Sequence, residues 1–143
     1  MHYQSKRNYC GPATVQNALE LFGIKATQKD IAELAHTTAE GTNEYGMIRA
    51  INHYGLDALP VISATTYSMS PPALACIDRW AHWVLVAGEE RSLGRYIVID
   101  PARTAYNRAR NGVWVPTYEQ LHLKMRPALG ESEAFYWIHV RTP

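Results

Sequence analysis

The chain has 143 residues, of which 47% are hydrophobic and 19% are charged. This composition is typical of one soluble domain, long enough to bury a core of its own. The 14 Lys and Arg residues against 13 Asp and Glu residues leave a formal net charge of +1. This nearly even balance of charges argues against a nucleic-acid-binding protein that depends on bulk phosphate attraction. The longest apolar stretches are about five residues, far short of the roughly 20 that a membrane span needs.

The beginning of the chain shows no signal-peptide pattern. The two cysteines, Cys10 and Cys76, are too few for a disulfide scaffold or a cysteine-rich zinc site. Neither a His-Glu-x-x-His pattern nor a pair of cysteines at ligand spacing is present, so we expect no metal ion and no cofactor. We expect a cytoplasmic protein, or one exported by a route that the sequence does not reveal. We expect no integral membrane segment, and the oligomeric state is left open.

Three helices are predicted in the first half of the chain. Pro12 lies near the first helical position of the first helix, whose apolar residues recur at helical spacing until Gly23 ends the run. Thr27 is placed to cap the second helix, and Thr42 or Asn43 is placed to cap the third.

Strands are predicted in the second half, each one a short apolar run bounded by turn residues. The runs are Leu59–Ser63, Leu74–Ile77, His82–Ala87, Arg95–Asp100 and Phe135–Val140, and a helix from Thr117 to Lys124 precedes the last of them. Residues 64–72 are predicted to form a loop, because they are rich in Ser, Thr and Pro. Helices followed by strands indicate an α+β fold, with a helical N-terminal half packed on a C-terminal antiparallel sheet. We expect a single domain over residues 1–143.

Cys10 stands at the predicted beginning of the first helix, directly before Gly11 and Pro12. A helix N-terminus presents unpaired N–H groups and a partial positive charge, and both favour the thiolate, which is the nucleophilic form. The small residues Gly11 and Ala13 are expected to leave room for a substrate carbonyl. A cysteine taken alone is more often a small buried hydrophobe, but this position favours a nucleophile.

A thiol nucleophile needs a base, and the sequence favours His82. The strands 82–88 and 94–100 flank a five-residue segment, 89–93, which is a common hairpin length. If they pair about Arg91, His82 lies opposite Asp100 on the same face of the sheet. The carboxylate would then orient the imidazole and favour its charged form. The alternative is an ordinary salt bridge, or a turn that begins at Asp100.

The other histidines have no comparable partner: His2, His36, His53, His122 and His139 lie near element ends, on solvated faces or in the last strand. Trp80 and Trp83 flank His82 and either shield it from water or pack as ordinary aromatics. Cys76 is predicted to be a packing residue in a strand. A basic surface loop is predicted after Asp100, with Arg103, Arg108 and Arg110 beside Asn107 and Asn111.

The ordered set Gln4, Cys10-Gly-Pro-Ala, His82-Trp-Val-Leu-Val-Ala-Gly and Ile-Asp100-Pro resembles a papain-like cysteine peptidase. The chain is most similar to the bacteriocin-processing, double-glycine leader peptidase family and its wider relatives, which is family thirty-nine of the cysteine peptidases. The likeness covers most of residues 1–140. It implies that Cys10 is the nucleophile, His82 the general base and then acid, Asp100 the orienting acid and Gln4 an oxyanion donor.

The chain departs from that family in three ways. Many relatives have Asp before the Cys-Gly pair, where this chain has Tyr9. A helix often found before the strand that carries the histidine is replaced by the loop 64–72. We expect no transmembrane transporter to follow, which argues against the usual leader-peptide substrate. Hydrolysis of a peptide or protein substrate through a thioester is the function that the resemblance implies. An acyltransferase that uses the same thioester, and a catalytically silent peptide-binding module, are the alternatives.

Overall fold

The computed structural model describes residues 1–79, 81–126 and 134–143. In these residues the helices are α1 (Cys10–Leu21), α2 (Gln28–Ala35), α3 (Glu44–His53), α4 (Ala105–Ala109) and α5 (Tyr118–Lys124). The strands are β1 (Asp57–Ser63), β2 (Ala73–Ile77), β3 (His82–Glu90), β4 (Arg95–Ile99), β5 (Val113–Trp114) and β6 (Phe135–Arg141).

The predicted helix caps are found where side-chain oxygens can accept the first free N–H groups. The Thr27 hydroxyl accepts from the Asp30 N–H at 3.1 Å, and the Asn43 amide oxygen accepts from the Gly46 N–H at 2.9 Å. Asn43, and not Thr42, therefore caps α3. The sequence alone could not separate them, because both residue types are good caps.

One antiparallel sheet holds the second half of the chain, in the strand order β1-β6-β2-β3-β4-β5. Apolar side chains fill both of its faces. One core cluster joins the sheet to α1, α2 and α3, and a second joins its other face to α5 and to residues of the 64–72 segment such as Met69. The α+β fold predicted from the order of elements is confirmed.

The predicted pairing of β3 with β4 is wrong, by three residues next to the turn, where Gly88 pairs with Ile97, and by two residues towards His82. Val86 pairs with Val98 and Leu85 with Ile99, so Asp100 falls in register with Val84 and lies diagonally to His82. The turn is shorter than predicted because β3 continues to Glu90. An irregularity between Val86 and Gly88 reduces the offset from three residues to two. A shift of two residues keeps every side chain on its face, so His82 and Asp100 still share one.

The segment after Asp100 is not the predicted basic loop. The Thr104 hydroxyl accepts from the Asn107 N–H at 3.1 Å and so caps α4, and β5 follows and pairs with β4. The Asn107 side chain is buried, donating to the Ala102 carbonyl at 2.9 Å and accepting from the Trp114 indole at 3.0 Å. These bonds fix the chain that immediately follows Asp100, because a buried amide stays where its partners are.

Candidate active site

The Cys10 thiol stands at the first residue of α1, and no side chain caps this helix. The free N–H groups and the positive end of the helix dipole therefore face the sulfur. The hydroxyl of Thr14, one turn further on, donates to the carbonyl of Trp83 at 3.2 Å. Because Trp83 follows His82 in the chain, this bond fastens the helix that carries the thiol to the strand that carries the imidazole.

The small residues beside Cys10 pack inward. They do not open a path for substrate, and the expectation that they leave room for a substrate carbonyl is wrong. Ala13 is fully buried, and a side chain built on Gly11 would meet the Thr42 hydroxyl at 2.6 Å. Gly11 is therefore small because the chain before α3 passes against it.

The imidazole of His82 is held by Asp100. The distance from His82 Nε2 to Asp100 Oδ1 is 2.7 Å, and the side chains are 17% and 6% exposed. Because a carboxylate only accepts hydrogen bonds, Nε2 carries a proton, and Nδ1 is left to exchange one with the thiol. The same oxygen, Asp100 Oδ1, also accepts from the Ala102 N–H at 2.9 Å.

The contact with Ala102 was not foreseen in the sequence analysis. Its signal is the Asp-Pro-Ala sequence, since Asp side chains often bond the N–H two residues on in a tight turn. The turn and the orienting carboxylate, which we had weighed as alternatives, are therefore both present at Asp100.

The electrostatics of the site favour a thiolate beside an imidazolium. Burial lowers the pKa of His82, but hydrogen bonds and charge from Asp100 and Cys10 outweigh it and raise the pKa to about 9. Burial raises the pKa of the Cys10 thiol, and hydrogen bonds with the His82 ring and the backbone of Trp83 and Gly11 outweigh that, so the pKa lies below its ordinary value. Both shifts favour the form of the pair in which the proton is on His82.

Cys76 has the opposite environment. Burial, followed by the negative charge of Cys10 and Glu44, raises the pKa of its thiol. Both cysteines are free, and Cys76 lies in β2 as predicted. The two thiols therefore differ sharply in the ease with which they ionise.

Gln4 is hydrogen-bonded both to the segment after Asp100 and to the loop before Cys10. Its backbone N–H donates to the Pro101 carbonyl at 2.9 Å, and its own carbonyl accepts from the Arg103 guanidinium at 2.6 Å. Its side-chain N–H groups donate to the carbonyls of Lys6 and Arg7, at 3.1 and 3.0 Å, while Oε1 is buried without a hydrogen-bond partner. The side chain is therefore committed to the loop that precedes Cys10.

Of the two tryptophans that flank His82 in the chain, the structure describes only Trp83. Trp83 is buried on the helix-covered face, where its indole N–H donates to the Thr42 carbonyl at 2.8 Å, so it is a packing residue. Trp80 lies outside the described residues. In the described part of the chain no group of three His, Cys, Asp or Glu side chains could hold a metal ion. No helix in these same ranges is long and apolar enough to cross a membrane.

Thiol labelling gives the first test of the site. We expect a neutral alkylating reagent at about pH 6 to modify Cys10 at least about tenfold faster than Cys76, because only the thiolate reacts. Mass spectrometry of the digested protein measures the two rates. Cys76→Ala should keep the fast reaction and Cys10→Ala should lose it. Equal rates at the two thiols would show that no ion pair forms between Cys10 and His82.

Comparison with known proteins places this architecture in a class. The peptidase domain of Streptococcus ComA, a bifunctional ABC transporter of a quorum-sensing pathway, aligns with a TM-score of 0.77 and 17% identity, over 99% of this chain and 97% of that one. A double-glycine-motif protease of an AMS/PCAT transporter, solved with its leader peptide, aligns with a TM-score of 0.75 and 15% identity, over 99% and 89% of the chains. The fold is that of the papain-like cysteine peptidases, as predicted.

The family follows from the sequence match. The model of the peptidase C39 family matches residues 1–113, and the chain belongs to this family, which confirms the predicted resemblance. Two uncharacterized proteins of Methanothermobacter thermautotrophicus and Methanothermobacter marburgensis are 42% and 38% identical over 55 residues. These matches span 38% of this chain and 39% of each relative, so they cover well under half of the relatives' length.

Proposed function

We propose that this protein is a cysteine peptidase that hydrolyses a peptide bond through Cys10, His82 and Asp100. The observation that carries the proposal is the imidazole of His82, held by Asp100 at 2.7 Å on one side and bonded to the Cys10 thiol on the other. A nucleophile, a base and a group that orients the base form the arrangement that covalent acyl transfer requires.

The chemistry proceeds in two halves. The Cys10 thiolate attacks the carbonyl carbon of the peptide bond, and the carbonyl oxygen takes up the electron pair. His82, already protonated, gives its proton to the leaving nitrogen as the C–N bond breaks, which leaves a thioester on Cys10. His82 then removes a proton from water, the hydroxide attacks the thioester, and the acid product leaves as Cys10 is released.

The negative oxygen of the tetrahedral intermediate needs donors, and we assign this role to the Cys10 backbone N–H and to Gln4 Nε2. The beginning of α1 supports the first, because its N–H groups are uncapped. The hydrogen bonds that the Gln4 backbone makes with Pro101 and Arg103 support the role of Gln4 Nε2, because they hold this residue next to the segment after Asp100. The Gln4 amide has to turn from the Lys6 and Arg7 carbonyls to share one of its two N–H groups.

The substrate class follows from the relatives, one of which was solved with a leader peptide. We propose a peptide substrate and test it with peptides that carry Gly or a larger residue immediately before the scissile bond. Mass spectrometry should detect two fragments whose masses sum to substrate plus one water. Including an amine acceptor separates hydrolysis from acyl transfer, since only transfer gives an amide of the acceptor. Peptides that stay intact at every sequence tested, with folded protein whose Cys10 thiol is labelled rapidly, would overturn the proposal.

A further inference from the structure

A groove of about 460 Å³ opens on the helix-covered side of the sheet, between the beginning of α3 and strands β1, β2, β3 and β6. Its walls are mainly apolar. They include Ile62, Cys76, Trp83, Phe135 and Tyr136, and Thr42 and Glu44 supply the polar edge. Ile62 is 73% exposed although it is large and apolar. An exposed apolar side chain on the rim of such a groove is typical of a surface that receives another molecule.

The groove adjoins the nucleophile. Trp83, one of its walls, lends its backbone to a hydrogen bond with the Cys10 thiol, and Thr42 packs against Gly11, the residue after Cys10. Cys76 lies within electrostatic reach of both Cys10 and Glu44, since each of them adds to the effect of burial in raising the pKa of its thiol. A peptide whose carbonyl reaches Cys10 can therefore place a neighbouring side chain in the groove.

Glu44 is the acidic group of this groove. It is half-buried, and among the residues that the structure describes it forms no salt bridge and no side-chain hydrogen bond. Asn43 already caps α3, so the helix does not need Glu44 for that purpose. Its charge is felt by the groove wall: after burial, Glu44 is the largest cause that raises the pKa of the Tyr136 phenol to about 12.

We propose that this groove selects a substrate residue with a long apolar stem and a cationic end, lysine or arginine, whose charge pairs with Glu44. The methylene groups would pack on Ile62 and Tyr136, which are paired across β1 and β6, as long basic side chains do on apolar surfaces. The Tyr136 ring adds a favourable face for the cation. An apolar residue of the same length fills the groove but leaves the half-buried carboxylate without a partner, which costs free energy. The inference rests on the proposed peptidase function and adds a substrate preference to it.

The test uses peptides that differ at one position, placed in turn at each of the four residues on either side of the scissile bond. The residue is Lys, norleucine (which has the same stem without the ammonium group), Glu or Gly. At one position we expect kcat/KM for Lys to exceed that for norleucine about tenfold, as for a partly buried ion pair. The value of kcat/KM for norleucine should in turn exceed that for Gly, because the norleucine stem buries apolar area.

Three variants separate the charge of Glu44 from its other effects. Glu44→Gln keeps the shape and should bring the ratio of Lys to norleucine close to one. Glu44→Lys should reverse the preference, so that kcat/KM for the Glu peptide exceeds kcat/KM for the Lys peptide. Glu33→Gln on α2, an exposed glutamate outside the groove, is the matched control and should keep the wild-type ratio.

Binding to the Cys10→Ala protein, measured by fluorescence anisotropy with the same peptides, keeps this inference distinct from the peptidase proposal. If no peptide is cleaved but Lys peptides bind more tightly than norleucine peptides through Glu44, the peptidase proposal fails and the groove assignment stands. If peptides are cleaved with equal kcat/KM for Lys and norleucine at every position, the groove assignment fails alone. Absence of both cleavage and binding overturns both.

Discussion

We expect Cys10→Ala to lower kcat/KM for peptide cleavage by at least about 10⁴-fold, because without the sulfur no thioester can form. The fold should be unchanged. The side chain is partly buried at the margin of the first core cluster, and its polar contacts are with the His82 ring and the backbone of Trp83 and Gly11. Alanine keeps the β-carbon and leaves the backbone hydrogen bonds of α1 and β3 in place, so the midpoint of urea unfolding should fall only slightly.

Activity and stability are measured on the same preparation, with circular dichroism for the unfolding curve and mass spectrometry for the products. Alkylation of wild-type protein supplies an independent control, since loss of activity should track modification of one thiol, Cys10. A Cys10→Ala protein that folds normally and still cleaves peptides at a rate near that of wild type would remove Cys10 from the mechanism.

Asp100→Ala and Asp100→Asn should differ by at least about tenfold in kcat/KM, with Ala the more damaging. Alanine removes both the charge and the group that orients the His82 ring, so we expect the larger loss of kcat/KM for this variant. Asparagine removes the charge alone. The Ala102 N–H donates to the position of Oδ1 at 2.9 Å, so it should hold the amide with its oxygen towards His82.

The pH profile separates the two effects. Asp100 raises the pKa of His82 by its hydrogen bond and its charge, so removing the charge lowers that pKa. The alkaline limb of kcat/KM, set near pH 9 by loss of the His82 proton, should therefore move to lower pH in Asp100→Asn. Asp78→Asn is the matched control, because Asp78 shares a cleft with His82 without bonding to it. An unchanged alkaline limb in Asp100→Asn would show that Asp100 does not set the charge of His82.

The sequence was sufficient for those parts of the fold that local chemistry determines. Thr27 caps α2 as predicted, and α5 lies within the predicted range Thr117–Lys124, with Thr117 as its cap. The pairing of His82 with Asp100 was also anticipated, although through a register that is off by two residues. His82 and Asp100 still lie on the same face of the sheet, because side chains alternate with a period of two. Only an odd shift at this end of the strands would have placed them on opposite faces.

Long-range contacts were beyond reach of the sequence. The arginines that follow Asp100 predict a basic surface loop. The structure of this segment depends instead on Asn107, whose partners Ala102 and Trp114 are brought to it only by the pairing of β4 with β5. The binding of Gln4 to Lys6, Arg7 and Arg103 is hidden for the same reason. Single polar residues carry little pattern, and their roles depend on which backbone groups the tertiary fold brings near them.

The bond from the Thr14 hydroxyl to the Trp83 carbonyl has a consequence for how the enzyme fails under stress. It joins two packed elements in the interior of the molecule, so the sulfur and the ring move together as long as the interior is intact. Loosening of the outer strand β1, at the other end of the sheet from β4 and β5, would leave the spacing of sulfur and ring untouched. Opening of β1 on heating should therefore not inactivate the protein by itself.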